Sequence, residues 1–292
     1  MLWNKSRSSS NVEQGTGGGG GFGLGPIHLG FGGTVLALII AIIFPQTRGL
    51  IFGLLAGGGT GNTPAQTEPV DGNDPQVQFV KHILGSTEDV WAADFQRLGD
   101  RYVDPKLVLF HGEISTACGG ASAAVGPFYC PGDKRVYLDL DFFQELATRF
   151  HSDSDFARAY VIAHEVGHHV QDQLGIMDAE QQAHDRGAPM QGAKGLSVRL
   201  ELQADCFAGV WAHQSQQQLQ WLQPGDVESA LHAASQIGDD TLQRESQGTV
   251  VPDSFTHGSS AQRVHWFKTG FQSGNIADCD TFKGEPGFNA MR

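Results

Sequence analysis

Two histidines and a glutamate within one short stretch have the spacing of a zinc site. The stretch is His164-Glu165-Val166-Gly167-His168, a pattern in which the histidines of one helix bind zinc and the glutamate acts as a base. On a helix, His164 and His168 lie one turn apart on the same side, so both imidazoles can reach one ion at about 2.0–2.1 Å. Glu165 lies next to them and suits a general base for the water that zinc activates.

The residues around this pentapeptide predict the helix that it requires. Apolar residues recur at three- and four-residue steps between positions 156 and 174, Ser152 to Asp155 offer N-caps, and Gly175 offers a stop. Small side chains at Ala163 and Gly167 would let another element approach closely. The alternative is a pair of histidines on a solvated helix face, with no metal.

A catalytic zinc ion requires a third protein ligand. A third histidine six residues beyond the motif would mark a metzincin, but that position is Leu174. A second helical run, residues 197–212, places Glu201 and Asp205 one turn apart among alanines. We predict that Glu201 is the third ligand and that Asp205 accepts the far N–H of a ligating histidine. The alternative is that both are solvated surface acids.

The sequence resembles the neutral zinc metallopeptidases of bacterial envelopes. Four segments carry the resemblance and span most of the chain after the apolar N-terminal stretch: 164–171, 201–211, 126–131 with 136–139, and 256–263. The resemblance implies an α+β fold, a mostly helical zincin-like domain of the gluzincin type with a small sheet or hairpin. It also implies His164, His168 and Glu201 as zinc ligands with Glu165 as catalyst, and it says less about the substrate.

His257 is a candidate donor to the oxygen on which negative charge builds during attack on a carbonyl. It lies in a polar loop ahead of a helix that begins at Ser259 or Ser260. The resemblance points the same way, because related membrane zinc proteases carry a Thr-His pair followed by an arginine at similar spacing. The alternative is that His257 and Arg263 only brace the C-terminal helices.

The rest of the domain mixes helices with strands. Apolar residues between positions 77 and 98 predict two helices joined near Gly85. Residues 107–110, 128–129 and 135–139 have the β-branched and aromatic content of strands. The last two resemble a hairpin or edge strand ahead of the zinc helix, where an extended substrate could pair. The alternative is a sheet that simply packs under that helix.

The first 75 residues predict an anchor and a linker. Residues 1–26 are polar and glycine-rich, which predicts a disordered cytoplasmic tail. Residues 27–56 contain a run of apolar residues that favours a single transmembrane helix, with a cleaved signal peptide as the alternative. Residues 57–75 predict a flexible linker, and residues 76–292 the zinc metallopeptidase domain.

The basic residues Lys5 and Arg7 precede the apolar stretch and would place the N-terminus in the cytoplasm. The protein would then be a single-pass membrane protein with a periplasmic catalytic domain. Outside the cytoplasm the four cysteines should be oxidised, and of the three possible connectivities we favour Cys118–Cys130 with Cys206–Cys279. The rival hypothesis for Cys206 is a catalytic nucleophile.

Charge excludes some partners. The net charge of −13, from 19 basic and 32 acidic residues, argues against nucleic acid and anionic lipid surfaces. The predicted function is that of a membrane-anchored, zinc-dependent peptidase acting on a peptide or protein substrate. The alternatives are a zinc-stabilised envelope scaffold without turnover and a zinc amidase acting on a non-peptide substrate. Glu165 favours an enzyme, because a purely structural zinc ion has no use for a carboxylate beside its water.

Overall fold

The computed structural model describes residues 1–16, 65–122, 126–148 and 154–288. The strands are β1 (Val12–Gly15), β2 (Thr67–Pro69), β3 (Lys106–Phe110), β4 (Glu113–Thr116), β5 (Gly119–Ser122), β6 (Phe128–Cys130) and β7 (Arg135–Asp139). The helices are α1 (Pro75–Leu98), α2 (Phe142–Thr148), α3 (Asp155–Gln173), α4 (Ile176–Asp185), α5 (Leu196–Leu219), α6 (Asp226–Gln236), α7 (Asp239–Gln247) and α8 (Ser260–Ser273). Short 3-10 turns cover Trp3–Lys5, Pro252–Ser254 and Ile276–Cys279.

Five of these strands form one mixed sheet in the order β2-β1-β3-β7-β6. The three inner strands run parallel, and both edge strands are antiparallel to their neighbours. Alternation along β3 gives the sheet two buried faces. Leu107 and Leu109 join the main core with the helices, whereas Val108 and Phe110 join a second cluster that includes Ile114 of the β4–β5 hairpin. The prediction of a mostly helical domain with a small sheet or hairpin is therefore wrong, because the domain mixes helices with a five-stranded mixed sheet.

Close helix crossings place α3 and α8 on either side of α5. A Cβ atom added at Gly167 of α3 would lie 3.1 Å from the carbonyl oxygen of Ala204, so the small residue permits the close approach that the sequence indicated. On the other side, Gly209 of α5 and Gly270 of α8 leave no room for a side chain against the facing backbones. These crossings bring residues from three helices to one centre.

The N-terminal residues belong to this domain, and the prediction of a disordered tail does not hold for residues 1–16. Strand β1 lies between β2 and β3 in the sheet. The Ser9 hydroxyl donates to Glu88 Oε1 at 2.6 Å, and the Asn11 amide donates to the same oxygen at 2.8 Å. The segment needs no core of its own because it completes one built by α1 and the sheet. Residues 17–26 lie outside the described residues.

Helix α1 is continuous, although two helices were expected with a join near Gly85. The glycine lies within the helix and faces the N-terminal segment, where an added Cβ would overlap the carbonyl oxygen of Arg7. Its role is therefore close packing, and it does not end the helix. Similarly, Thr67–Pro69 forms edge strand β2, so this part of the expected linker is in the sheet, while residues 57–64 lie outside the described part of the chain.

The predicted single-pass topology, with a cytoplasmic N-terminus and a periplasmic domain, is wrong. Strand β1 precedes the apolar stretch 27–56, whereas β2 and β3 follow it, and β1 is hydrogen-bonded to both. Segments on opposite sides of a membrane cannot share one sheet. Within residues 1–16, 65–122, 126–148 and 154–288, no helix is both long and apolar enough to cross a bilayer. The proposed transmembrane helix itself, 27–56, falls outside these ranges.

Both predicted disulfides are confirmed. Cys118 pairs with Cys130, which ties the turn between β4 and β5 to edge strand β6. Cys206 pairs with Cys279, which ties the C-terminal 3-10 turn to α5. The second bond also removes Cys206 as a nucleophile, because a disulfide sulfur carries no thiolate.

Candidate metal centre

Three side chains from two helices converge at the predicted zinc site. The rings of His164 and His168, on α3, have centroids 4.9 Å apart. Glu201, on α5, brings Oε2 to 3.2 Å from His164 Nε2 and Oε1 to 3.5 Å from His168 Nε2. A tetrahedral zinc ion with ligands at about 2.0–2.1 Å separates neighbouring ligand atoms by roughly 3.4 Å. The donor set therefore fits a zinc ion in both chemistry and spacing.

The second nitrogen of each imidazole is held by an acceptor. His164 Nδ1 lies 2.9 Å from Asp205 Oδ1, and His168 Nδ1 lies 2.8 Å from Gln171 Oε1. The Gln171 amide nitrogen donates to the Leu200 carbonyl at 2.7 Å, which fixes its oxygen toward His168. Because both partners accept, Nδ1 of each ring carries a proton, and Nε2 is the nitrogen that faces Glu201 and would bind a metal in place of any proton there.

Asp205 accepts hydrogen bonds from several side chains that surround the ligands. It is fully buried and accepts from the Tyr160 hydroxyl at 2.5 Å. It also accepts from Arg263, through Nε at 2.8 Å and Nη2 at 2.8 Å. Burial alone would raise the pKa of Asp205, but the charge and hydrogen bonds of Arg263 outweigh it and lower the pKa to about 2. Asp205 is therefore an anion that can hold the His164 ring in place.

The charges of the centre favour a cation. Burial lowers the pKa of His168 to about 4, so this ring is neutral and ready to ligate. Burial also acts to lower the pKa of His164, but the Asp205 carboxylate outweighs it and raises the pKa to about 10. Against the effect of burial, the neighbouring histidines lower the pKa of Glu201. The carboxylates of Glu201 and Asp205 are therefore negatively charged and attract positive charge, which a divalent ion would supply.

Glu165 lies beside the ligands and is buried, with 8% of the residue exposed. Burial raises its pKa to about 7, the charge of His164 acts to lower it, and the charge of Glu201 acts to raise it. A general base works best when its pKa is close to the working pH. The position of Glu165 on α3 and its pKa both suit that role.

His257, in the loop ahead of α8, lies near the same centre. Its charge acts on both Glu165 and Glu201, and its Nδ1 lies 3.3 Å from Asp239 Oδ1. The other Asp239 oxygen accepts the backbone N–H groups of Thr256, His257 and Gly258 at 2.6, 2.7 and 3.0 Å. Asp239 therefore fixes both the loop and the ring, and Nε2 is the ring nitrogen left to serve as a donor.

Two tyrosines near the centre, Tyr160 and Tyr129, have hydroxyl groups that are already paired. The Tyr160 hydroxyl donates to Asp205, and the Tyr129 hydroxyl donates to Asp172 at 2.8 Å. His169, the immediate neighbour of the second motif histidine, is buried and directs Nε2 to the Val103 carbonyl at 2.7 Å. Neither Tyr129 nor His169 is part of the metal centre.

The sequence analysis did not predict the supporting roles of Tyr160, Gln171 and Asp239, or the pair of hydrogen bonds from Arg263 to Asp205. For two of these residues, the spacing along the helix could have indicated the role. Tyr160 lies four residues before His164 and Gln171 three residues after His168, so both lie on the ligand face of α3. The other two are brought in by the packing of α7 and α8, which local spacing does not encode.

Comparison with known proteins agrees with this geometry. The family model described as "Putative neutral zinc metallopeptidase" matches residues 1–282. A protein of Escherichia coli (strain K12), "Uncharacterized protein YpfJ", is 46% identical over 286 residues, which cover 97% of this chain and 99% of that protein. A protein of Mycobacterium bovis, "Uncharacterized protein Mb2605", is 46% identical over 215 residues, which cover 70% of this chain and 71% of that protein. No solved structure matches. The chain belongs to the neutral zinc metallopeptidase family.

Proposed function

We propose that this protein is a zinc-dependent peptidase in which His164, His168 and Glu201 hold the ion and Glu165 is the general base. The observation that carries the proposal is the buried residue Glu165, with a pKa of about 7, beside a His/His/Glu ligand set. A zinc ion held there supplies Lewis acidity toward a water molecule and a substrate carbonyl. A site built only to hold a structural ion would have no use for this base.

The roles of the side chains follow from their surroundings. Glu165 takes a proton from water and passes it to the leaving amine, which its pKa near 7 permits in both directions. His257, oriented by Asp239, donates to the carbonyl oxygen as negative charge builds on it. Asp205 and Gln171 keep the two ligand rings in the required tautomer.

Strand β6 supports a peptide as the substrate. It is the outermost strand of the sheet beside β7, and it packs against α3, the helix that carries the histidines. An extended peptide can add to such an edge through main-chain hydrogen bonds. This arrangement favours a peptide or protein substrate over a small amide, which would make no use of a strand edge.

The proposal is tested with Glu165→Gln, which preserves size and removes the base. We expect the variant to retain the zinc content of the wild-type protein and to lose hydrolysis of an unfolded protein such as casein. His164→Ala and Glu201→Ala should lose zinc from this centre as well as activity, whereas Glu113→Gln, at an exposed position on β4, should change neither. Full activity in Glu165→Gln, or no hydrolysis by the zinc-loaded wild-type protein, contradicts the proposal.

A further inference from the structure

A second cluster of metal-ligating side chains lies away from α3 and α5, at the carboxyl ends of two parallel strands. It consists of His111, Asp139 and Asp141, each of which offers a ligand atom within 4.8 Å of the other two. None of the three takes part in the centre formed by His164, His168 and Glu201. We propose that this cluster binds a second divalent transition-metal ion, of the zinc or manganese type.

The sheet register explains why these residues meet. Strands β3 and β7 are parallel and pair Phe110 with Asp139, so both strands end at the same edge. His111 follows Phe110 directly, and Gly112, with a φ of 76°, turns the chain there. After β7, the backbone N–H of Asp141 donates to Asp139 Oδ1 at 2.9 Å. This turn brings Asp141 Oδ1 to 3.7 Å from His111 Nδ1.

An independent observation indicates that the cluster has a missing partner. Asp139 is fully buried, and its Oδ2 has no hydrogen-bond partner among the residues that the structure describes. Burial raises the pKa of this carboxyl group, and the backbone N–H groups of Asp141 and Gly112 and the charge of His111 offset only part of that cost. A cation between His111, Asp139 and Asp141 would satisfy that oxygen, whereas a surface group of acids would have no reason to bury one.

The donor set selects the class of ion. Calcium and magnesium prefer oxygen ligands alone, and an imidazole nitrogen suits zinc, manganese and similar ions. One imidazole with two carboxylates therefore favours a transition metal. The ion would join the turn after β3 to the segment that leads from β7 into α2, and binding only to the folded chain would stabilise that corner.

The number of bound ions tests the proposal. The full-length, metal-free protein is titrated with Zn²⁺ and, separately, with Mn²⁺, and the bound metal is counted by elemental analysis and by calorimetry. We expect two zinc ions for each wild-type chain. His111→Ala and Asp141→Asn should keep one zinc ion and weaken binding of the second by at least about 10–100-fold. Both residues have exposed side chains, so these variants should fold normally.

Three further arms separate this site from the first. Asp139→Asn should also lose the second ion, and Asp100→Asn, an exposed control at the end of α1, should keep both. His164→Ala should keep the ion at His111, so a failure of the peptidase proposal leaves this result intact. Zinc counts and affinities that are unchanged in His111→Ala and Asp141→Asn, or binding of Ca²⁺ in place of Zn²⁺ and Mn²⁺, would overturn the proposal.

Discussion

Arg263 donates two parallel hydrogen bonds to Asp205, from Nε to Oδ2 and from Nη2 to Oδ1, each 2.8 Å long. Arg263 is 3% exposed and Asp205 is fully buried, so neither charge is compensated by bulk water. The pair joins α8 to α5, and Asp205 in turn holds His164 of α3. The geometry of the metal centre therefore depends on a contact with Arg263, which is distant from the ligands in the chain.

The first prediction concerns this pair. Arg263→Ala leaves a buried carboxylate without its cation, so the free energy of unfolding should fall by about 3–5 kcal/mol. Arg263→Lys should lie between this variant and the wild-type protein, because an ammonium group cannot form two parallel hydrogen bonds. Urea denaturation measures both. The exposed Arg244→Ala is the control and should stay within about 0.5 kcal/mol of the wild type. If Arg263→Ala matches this control, the pair does not support the centre.

The sequence predicted those parts of the centre that one helix determines. Histidines four residues apart on α3 must share a face, so His164, His168 and the adjacent Glu165 followed from spacing alone. Glu201 and Asp205 could be proposed because they repeat that spacing on a second helix. The pairing of Asp205 with Arg263 depends on the crossing of α5 and α8, where two glycines allow close approach. Nothing in the local sequence states which helix will cross which.

The same limit explains the error in topology. Residues 27–56 have the composition of a membrane span, and composition was the only guide to what lies before and after them. The pairing of Val12 with Leu107 joins segments that precede and follow that stretch, and it places both flanks in one sheet. Four residues of strand with one strongly buried side chain leave almost no periodic signal, so only the assembled sheet shows them to be part of the domain.

The second prediction concerns Gln171, which holds the Nδ1 of His168. Gln171→Ala should weaken zinc binding by about 10–100-fold, because the ligand ring loses the acceptor that fixes its orientation and tautomer. Competition against a chelating indicator measures the dissociation constant. Gln171→Glu keeps an acceptor and should recover part of the loss. Gln173→Ala, on the same helix but bonded to the Val103 carbonyl, should bind zinc as the wild-type protein does. An unchanged constant in Gln171→Ala would show that the ring needs no such support.

The third prediction is a pH dependence of stability that arises from Asp239 and His257. Burial acts to raise the pKa of Asp239, but the His257 ring and backbone N–H groups outweigh it and lower this pKa. Burial acts to lower the pKa of His257, but the charges of Glu201 and Asp239 outweigh it and raise this pKa. A lowered carboxyl pKa contributes stability above its unfolded value of about 3.9, and a raised histidine pKa contributes stability below about 6.5. Their joint contribution is complete between these limits.

Asp239→Asn is the variant that reveals this window. Its free energy of unfolding should lie about 1.5–3 kcal/mol below that of the wild-type protein near pH 5. The difference should shrink as the pH falls through the folded pKa of Asp239, and also as the pH rises through that of His257. Denaturant unfolding at intervals from pH 3 to pH 8 gives the curve. A difference that is constant with pH would mean that Asp239 acts through packing alone.

The last prediction concerns His257 as a donor to the developing oxyanion. Its Nδ1 is paired with Asp239, which leaves Nε2 as the donor, and its charge acts on both Glu165 and Glu201. If it contacts the substrate oxygen mainly in the transition state, His257→Ala should lower kcat by about 10²–10³ with little change in KM.

A structural role of His257 and a role as hydrogen-bond donor to the substrate predict different effects of His257→Ala on zinc content and melting temperature. Loss of a donor leaves the zinc content at the wild-type value, because Asp239 still accepts three backbone N–H groups of the loop. The melting temperature should also stay at the wild-type value when it is measured above the folded pKa of His257, where the charged pair with Asp239 no longer contributes stability. Loss of a brace lowers activity and melting temperature together. His265→Ala, an exposed histidine on α8, is the matched control and should leave kcat unchanged. A kcat for His257→Ala equal to that of this control would remove His257 from the reaction, since a ring that donates to the oxyanion cannot be deleted without slowing the step in which that charge develops.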